Sequence, residues 1–385
     1  MNKSHVLMKT LPVNSKSNNM KALLSTYSTK YVFLSLVSTI TLLFCSCNKN
    51  ENSISCEYVF YKDPFVTQAK MDSLALMNVT SLDTAHLAIL PDNTCLSVAD
   101  NNYFVYSRTS VYRFDAKGKC QAVIGRLGHG RGEYSEARDV AIDKKERKVI
   151  VLGEQSVYVY DYDGKFVSKH SIDIPANSIC RTSSHYWFST GNNTSYSTNA
   201  IFRTNLEYRD MEGFAPAESE VNMIEKNFGK GEMPTYHNWF SHTVYRLDGG
   251  NASVAFRLSF PGLEIPECVN KNMDFWERNN ILSSSNYISI AQCLENKQYL
   301  YLLLAENIPS TQSMQAYHWI INKETEKSLV IKINQNSMES YHVNPQYLSE
   351  DNILLFIGYP EVKASETSTY GTNPSIVRVD LTELV

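Results

Sequence analysis

The chain lacks most of the features that announce a chemistry. Over 385 residues, 36 Lys and Arg stand against 40 Asp and Glu, a formal net charge of -4. There is thus no basic footprint for a phosphate backbone, and nucleic acid is not an expected partner. Six cysteines follow Cys47 (Cys56, Cys95, Cys120, Cys180, Cys268 and Cys293), none paired as C-x-x-C and none with His at zinc-finger spacing. No structural metal is therefore expected. The nucleophile elbow G-x-S-x-G, the zinc motif H-E-x-x-H and the phosphate loops G-x-G-x-x-G and G-x-x-x-x-G-K-[ST] are all missing, so no cofactor is expected either. Of nine histidines only His237 and His242 come close together. An odd spacing on a strand puts them on opposite faces, so they would not share a metal. The longest apolar run, residues 31–44, is fourteen residues long, too short to cross a bilayer.

That run is, however, the length of a signal-peptide hydrophobic region, and Lys21 and Lys30 precede it. It ends in Phe44-Cys45-Ser46-Cys47. An apolar residue, two small ones and a Cys resemble a bacterial lipobox, which makes Cys47 the expected lipidated residue. Residues 1–47 then form a lipoprotein signal peptide, 48–54 a polar tether and 55–385 one folded domain. Two or more acyl chains would hold such a protein on a membrane. Export would permit disulfides, but six cysteines allow 15 complete pairings; scattered buried thiols are the expectation here.

What is abundant is short alternation of apolar and polar residues. Four such runs, residues 139–142, 148–152, 156–160 and 165–170, follow a glycine-rich loop and are separated by KKER, GEQ and Asp163-Gly164. A side-chain period of two marks half-buried strands, and four in succession make an antiparallel meander, one blade of a β-propeller. CLSVAD, NYFVYS, SVYRFD and CQAVIG repeat the unit upstream, and hairpin turns recur near residues 118, 164, 206, 249 and 325. The spacing is close to one blade except where residues 261–285 add an insertion. A sixth unit ends after its third strand, PSIVRVDL. The expected fold is therefore all-β, a six-bladed propeller whose last blade takes its missing strand from the N-terminal segment, either residues 86–90 or 57–61. An open β-sandwich is the alternative. GRGEY at 130–134 recurs as GKGEM at 229–233, and both are expected on crossings from one blade to the next.

IGRLGHGRGEY followed by YDYDGKFV, and later FSHTVYRLDGG with FRLSF and IINKETEKS, resemble the six-bladed β-propeller lipoproteins of Bacteroidetes, whose repeats are similar to NHL repeats. The resemblance runs from about Leu82 to Leu381 and departs at Arg131, where the family usually has proline. It implies export and lipid attachment in a Gram-negative bacterium, and carries no settled activity.

The loop residues Gly128, Gly130, Gly132, Glu133 and Tyr134 could cradle an anion; a structural blade connection, with Glu133 accepting backbone N–H groups, is the preferred reading. Asp161 and Asp163 lack the further carboxylates of an EF-hand and read as a hairpin turn. Trp187, Tyr236, His237 and Trp239, with Trp276, are the candidate binding residues, placed at or near loops where aromatic planes could stack on sugars or peptides. Asp72-Ser73-Leu74 and Asp83-Thr84-Ala85 resemble an O-glycosylation pattern. The function expected is a lipid-anchored binding or scaffold module, not an enzyme, at the outer membrane on its periplasmic or surface side, with a glycan, peptide or partner lipoprotein as ligand. The alternative is a propeller-type lyase or hydrolase acting on glycans in the central funnel. Convergent His, Asp, Glu or Arg with perturbed pKa there would favour catalysis, and a lining of Tyr, Asn and Ser would favour binding.

Overall fold

The computed structural model describes residues 56–61, 65–66, 79–85, 90, 94–191, 195–217, 226–271, 273–333, 345–358 and 373–385. Cys47, residues 86–89 and the Asp72 glycosylation pattern lie outside them.

Three strands precede the repeats: β1 (Cys56–Val59), β2 (Phe65–Val66) and β3 (Val79–Ser81). Blade 1 comprises β4 (Cys95–Ala99), β5 (Asn102–Tyr106), β6 (Val111–Asp115) and β7 (Cys120–Val123). Blade 2 follows with β8 (Asp139–Asp143), β9 (Lys148–Leu152), β10 (Ser156–Asp161) and β11 (Phe166–Ser171). Blade 3 has β12 (Ser178–Arg181), β13 (Tyr186–Ser189), β14 (Asn199–Thr204) and β15 (Glu212–Pro216). Blade 4 has β16 (Phe228–Gly229), β17 (Thr235–His237), β18 (Thr243–Asp248) and β19 (Asn251–Ser259). Blade 5 has β20 (Tyr287–Glu295), β21 (Tyr299–Ile308), β22 (Ser313–Asn322) and β23 (Ser328–Lys332), and blade 6 has β24 (Pro345–Leu348), β25 (Ile353–Gly358) and β26 (Ser375–Asp380). The strands of each blade are antiparallel, β3 is the fourth strand of blade 6, and β1 and β2 add in parallel to the outer edges of blades 4 and 5. The first strands of successive blades neighbour one another all the way round. The molecule is a closed six-bladed β-propeller.

Apolar alternation explains the packing. Strand faces point at the blades on either side, and six clusters of buried side chains fill the six gaps, from Phe104, Tyr134 and Tyr160 between blades 1 and 2 to Leu96, Phe114 and Ile376 between blades 6 and 1. A seventh, around Phe240 and Val269, sits under the insertion between blades 4 and 5. That insertion carries the one α-helix among the described residues, α1 (Phe275–Ser284), capped by Asp274, whose side chain accepts from the N–H groups of Trp276 and Glu277.

The hairpins between third and fourth strands share one device. Asp115, Asp161 and Asn205 each accept, through Oδ1, the backbone N–H groups two and four residues on. The third residue after each has positive φ: Gly118, Gly164 and Tyr208. Where glycine stands, the tip presses on the preceding blade. A Cβ on Gly164 would lie 2.0 Å from the carbonyl oxygen of Val123 in β7, and one on Gly118 2.0 Å from that of Ser81 in β3. β3 thus does for blade 6 what β7 does for blade 1.

Two expectations need correction. Ring closure does come from the N-terminal segment, but through Val79–Ser81, not residues 57–61. Residues 56–59 form β1, which adds to blade 4 in parallel beside β19. The aromatic content of that stretch decides its place: Tyr58 packs on Phe256, and Phe60 on Phe260, Tyr317 and Trp319. The second concerns GKGEM, which is not a blade crossing. Gly229 belongs to β16, the first strand of blade 4, whereas GRGEY does cross from β7 to β8.

Candidate functional site

The first strand of each blade lines the central channel, so side chains from six distant parts of the sequence meet there. At its centre is Asp139, the first residue of β8, fully buried. Its Oδ1 accepts from the Tyr106 hydroxyl of blade 1 (2.6 Å) and from Lys230 Nζ beyond β16 of blade 4 (2.6 Å). Its Oδ2 accepts from the N–H of Ile179 in blade 3 (2.8 Å). One carboxylate therefore ties four blades. Burial pushes its pKa up, but Lys230 and Lys226, with the hydrogen bonds from Lys230 and Tyr106, outweigh that and hold it below the ordinary carboxylate value. Burial, then the charge of Asp139, push the Tyr106 phenol well up, so it remains a donor.

Further pairs sit toward the other ends of the same strands. Arg181 meets Asp143 across blades 3 and 2 (3.1 Å), and Glu295 of blade 5 accepts from Arg246 of blade 4 (2.6 Å) and from Lys323 (2.8 Å). Neutral bonds complete the ring of joints: Thr182 to the Gly249 carbonyl, Asn296 to that of Ser349, and the Leu96 N–H to Gln346. Three carboxylates are thus faced by five cations, Lys226 lying 3.9 Å from Asp139.

A cavity of about 80 Å³ opens where Asp143 and Arg181 end their strands. Ser97, Ala141, Cys180 and Tyr347 contribute to its walls, and three cations converge on it: Lys144, Arg181 and Lys230. Lys144 is exposed on the turn after β8, where its charge partly offsets the burial that raises the Tyr347 phenol. Arg181 stacks on the Tyr186 ring, and its Nη1 is buried without an acceptor among the described residues. Such a donor costs free energy until something accepts from it. Burial raises the Cys180 thiol to about 12, so it stays protonated and is a poor nucleophile.

The aromatic candidates are elsewhere. Trp187 on β13 is wholly buried against Phe214, and Tyr236 and His237 on β17 are buried as well. Burial lowers the His237 pKa to about 4, leaving it neutral. Trp239 is half-buried beside the cluster under the insertion. The first three lie in strands rather than at loops, and Trp187 and Tyr236 share the buried cluster between blades 3 and 4. The glycine loop is a blade connection: Glu133 Oε2 accepts from Gly130 N–H (2.8 Å), and Gly128 N–H donates to the Tyr134 carbonyl. A Cβ on Gly128 would collide with the Glu133 carboxylate, and Gly132 has φ +79° against the Phe166 ring. All six described cysteines are free thiols, and no group of three or more potential metal ligands occurs among the described residues.

The charged ring itself escaped sequence reading, because its members belong to different blades. A signal was nonetheless present: Asp139 and Asp143 bracket Val-Ala-Ile in β8, Arg181 closes Ser-Ile-Cys, and Glu295 closes β20. Charge at the ends of short apolar strands marks where a sheet's edge meets a shared axis.

Among solved structures, the fold is similar to that of a protein of Bacteroides fragilis described as exported, with a TM-score of 0.64 and 16% identity over 84% of this chain and 98% of that one. Matches to the extracellular domain of a one-component system of Bacteroides thetaiotaomicron (TM-score 0.39, 10% identity, 78% and 39% covered) and to the Pan2 WD40 domain of Neurospora crassa (0.42, 9%, 79% and 95%) are looser. No curated protein matches the sequence. Residues 77–376 match the family described as Domain of unknown function (DUF4934), and the chain belongs to that family.

Proposed function

We propose that the chain is an exported, lipid-anchored binding module of the outer membrane, with NHL-like repeats, whose funnel mouth grips an acidic group presented by a glycan or peptide. The observation that carries this is the convergence of Lys144, Arg181 and Lys230 on one cavity, beside a buried guanidinium nitrogen that lacks an acceptor. Asp139, Asp143 and Glu295 also converge on the funnel, but each is held by cations of neighbouring blades and spent as a joint, which favours binding over the catalytic alternative. Volume decides between holding and enclosing. About 80 Å³ is room for a carboxylate or phosphate-sized tip, since a liquid water takes roughly 30 Å³. Sites that enclose small molecules run to roughly 300–1,000 Å³. A projecting carboxylate fits. Export and anchoring are supported by the apolar run before Cys47 and the lipobox-like Phe44-Cys45-Ser46-Cys47, and the B. fragilis protein of like fold is described as exported.

The soluble chain, residues 54–385, is to be applied to glycan and peptide arrays. Acidic members should bind, binding should weaken as salt is raised, and Lys144→Glu, an exposed change, should reduce it about tenfold or more. Arrays silent for every acidic member, or turnover of a chromogenic glycoside with the funnel residues required, would overturn the reading.

A further inference from the structure

The insertion between blades 4 and 5 presents a helix turned inside out. α1 buries Arg278, whose Nε and Nη2 donate to the carbonyls of Val269 and Lys271, while its first two residues, Phe275 and Trp276, are 68% and 72% exposed. Their rings meet edge to face at 5.5 Å. No blade needs them, because the cluster beneath the insertion is filled by Phe240, Ile265, Val269 and Tyr287. Of the four tryptophans, Trp187 and Trp319 are buried and Trp239 half-buried, so Trp276 alone stands clear of the fold. We propose that Phe275 and Trp276 rest in the headgroup boundary of the bilayer that holds the acyl chains of Cys47, fixing which face of the propeller the membrane meets. This rests on the lipid-anchor reading above.

Tether length and position support that occupant. Eight residues separate Cys47 from Cys56 and reach at most about 28 Å. Cys56 pairs with Phe256 at the rim of blade 4, three residues from Ser259, after which the insertion begins; that is roughly 10 Å along a strand. Because β1 runs parallel to β19, the tether leaves β1 at the end away from the insertion, but its reach exceeds the roughly 10 Å back, so the anchor can still come down on the side where the aromatic pair projects. Tyr61, 52% exposed, follows β1 at the same end of blade 4. Tryptophan beside phenylalanine suits this boundary, since the rings are apolar and the indole N–H can stay with the headgroups. The exposed charges nearby, Asp274, Glu277, Glu267 and Lys271, sum to negative, which points to an uncharged lipid surface and not an anionic one.

Full-length protein carrying its acyl chains is to be incorporated into phosphatidylcholine vesicles, with and without bromine on shallow acyl carbons. The expected result is quenching of the emission that distinguishes wild type from Trp276→Phe, and none in Trp276→Phe itself; replacing a fifth of the lipid by an anionic one should weaken the quenching. A wild type that floats with the vesicles, as Cys47→Ala does not, yet shows no bromine-dependent quenching overturns this inference alone. A wild type that fails to float overturns the anchor reading and this one together.

Discussion

Replacing Asp139 by Asn keeps the side chain's shape and removes the charge on which four blades converge. The amide oxygen can still accept from the Ile179 N–H, but the amide nitrogen then confronts Lys230 Nζ, donor against donor, where the carboxylate accepted from both Lys230 and the Tyr106 hydroxyl. Removing one partner of a buried pair costs roughly 3–5 kcal/mol, because the other charge is left without compensation. The Lys230 side chain is 15% exposed, so water relieves part of this and about 3 kcal/mol is expected. Lys230→Met should cost less, about 2 kcal/mol, since Asp139 keeps Tyr106, Ile179 and the more distant Lys226. In the double variant neither charge remains, so the losses should fall short of additive by about 2 kcal/mol, read from urea unfolding of the soluble chain at pH 7. The pH dependence has a fixed sign. The folded pKa of Asp139 lies below its unfolded value, so the stabilisation is complete above about pH 4 and is lost as pH falls through the folded value. Wild type and Asp139→Asn should therefore converge in acid. Losses that add to within about 0.5 kcal/mol, or a gap between them that is unchanged at about pH 3, would refute the account of the ring's centre.

The hairpin tips and the N-terminal strands give two more tests. Gly164→Ala pays for positive φ, about 1 kcal/mol, and for a Cβ 2.0 Å from a backbone oxygen, roughly 1–3 kcal/mol more; Gly262→Ala, with φ +76° and nothing within 4 Å, should pay only the first, and equal losses would show that the tip does not press on blade 1. A chain begun at residue 62 should stay monomeric but lose at least about 3 kcal/mol with Phe60, whereas one begun at residue 86 also loses β3, bares the edge of β26 and should associate in sedimentation; a monomeric second chain would refute ring closure by β3.

The blades were legible because their signal is local. Alternation over four to six residues and a turn residue at a fixed place recur in each unit, and Asp115, Asp161 and Asn205 carry the same side-chain-to-backbone bonds. The closing strand was legible only as a need. Val79–Ser81 is three residues long and half exposed on an outer edge, so it has no apolar face to betray it, while residues 57–61, one of the two stretches expected to close the ring, spend their rings on blades 4 and 5. The candidate site was not legible as a site. Trp187 and Tyr236 looked like binding residues because aromatic rings serve both packing and recognition, and here they serve packing. Lys144, Arg181 and Lys230 look like ordinary surface cations until six first strands are brought to one axis.

Strand direction then relates the two surfaces. Each first strand runs the same way along the axis, so the ends carrying Asp143, Arg181 and Glu295, with the cavity beside them, share one face of the disc. The insertion joins the end of β19 to the beginning of β20, and Asn307, near the far end of β21, binds the carbonyls of Leu282 and Ser285. Because β21 runs opposite to β20, this anchors α1 at the other face, where first strands begin. The exposed aromatic pair and the cationic mouth therefore point away from each other. A propeller lying on lipid through Phe275 and Trp276 would hold its funnel open to the solvent side, where a long acidic chain could reach Lys144 without first crossing the membrane surface. The same geometry couples the two readings in one direction: moving the aromatic pair to the funnel face would bury the mouth, whereas deleting it would free the orientation and leave the mouth intact.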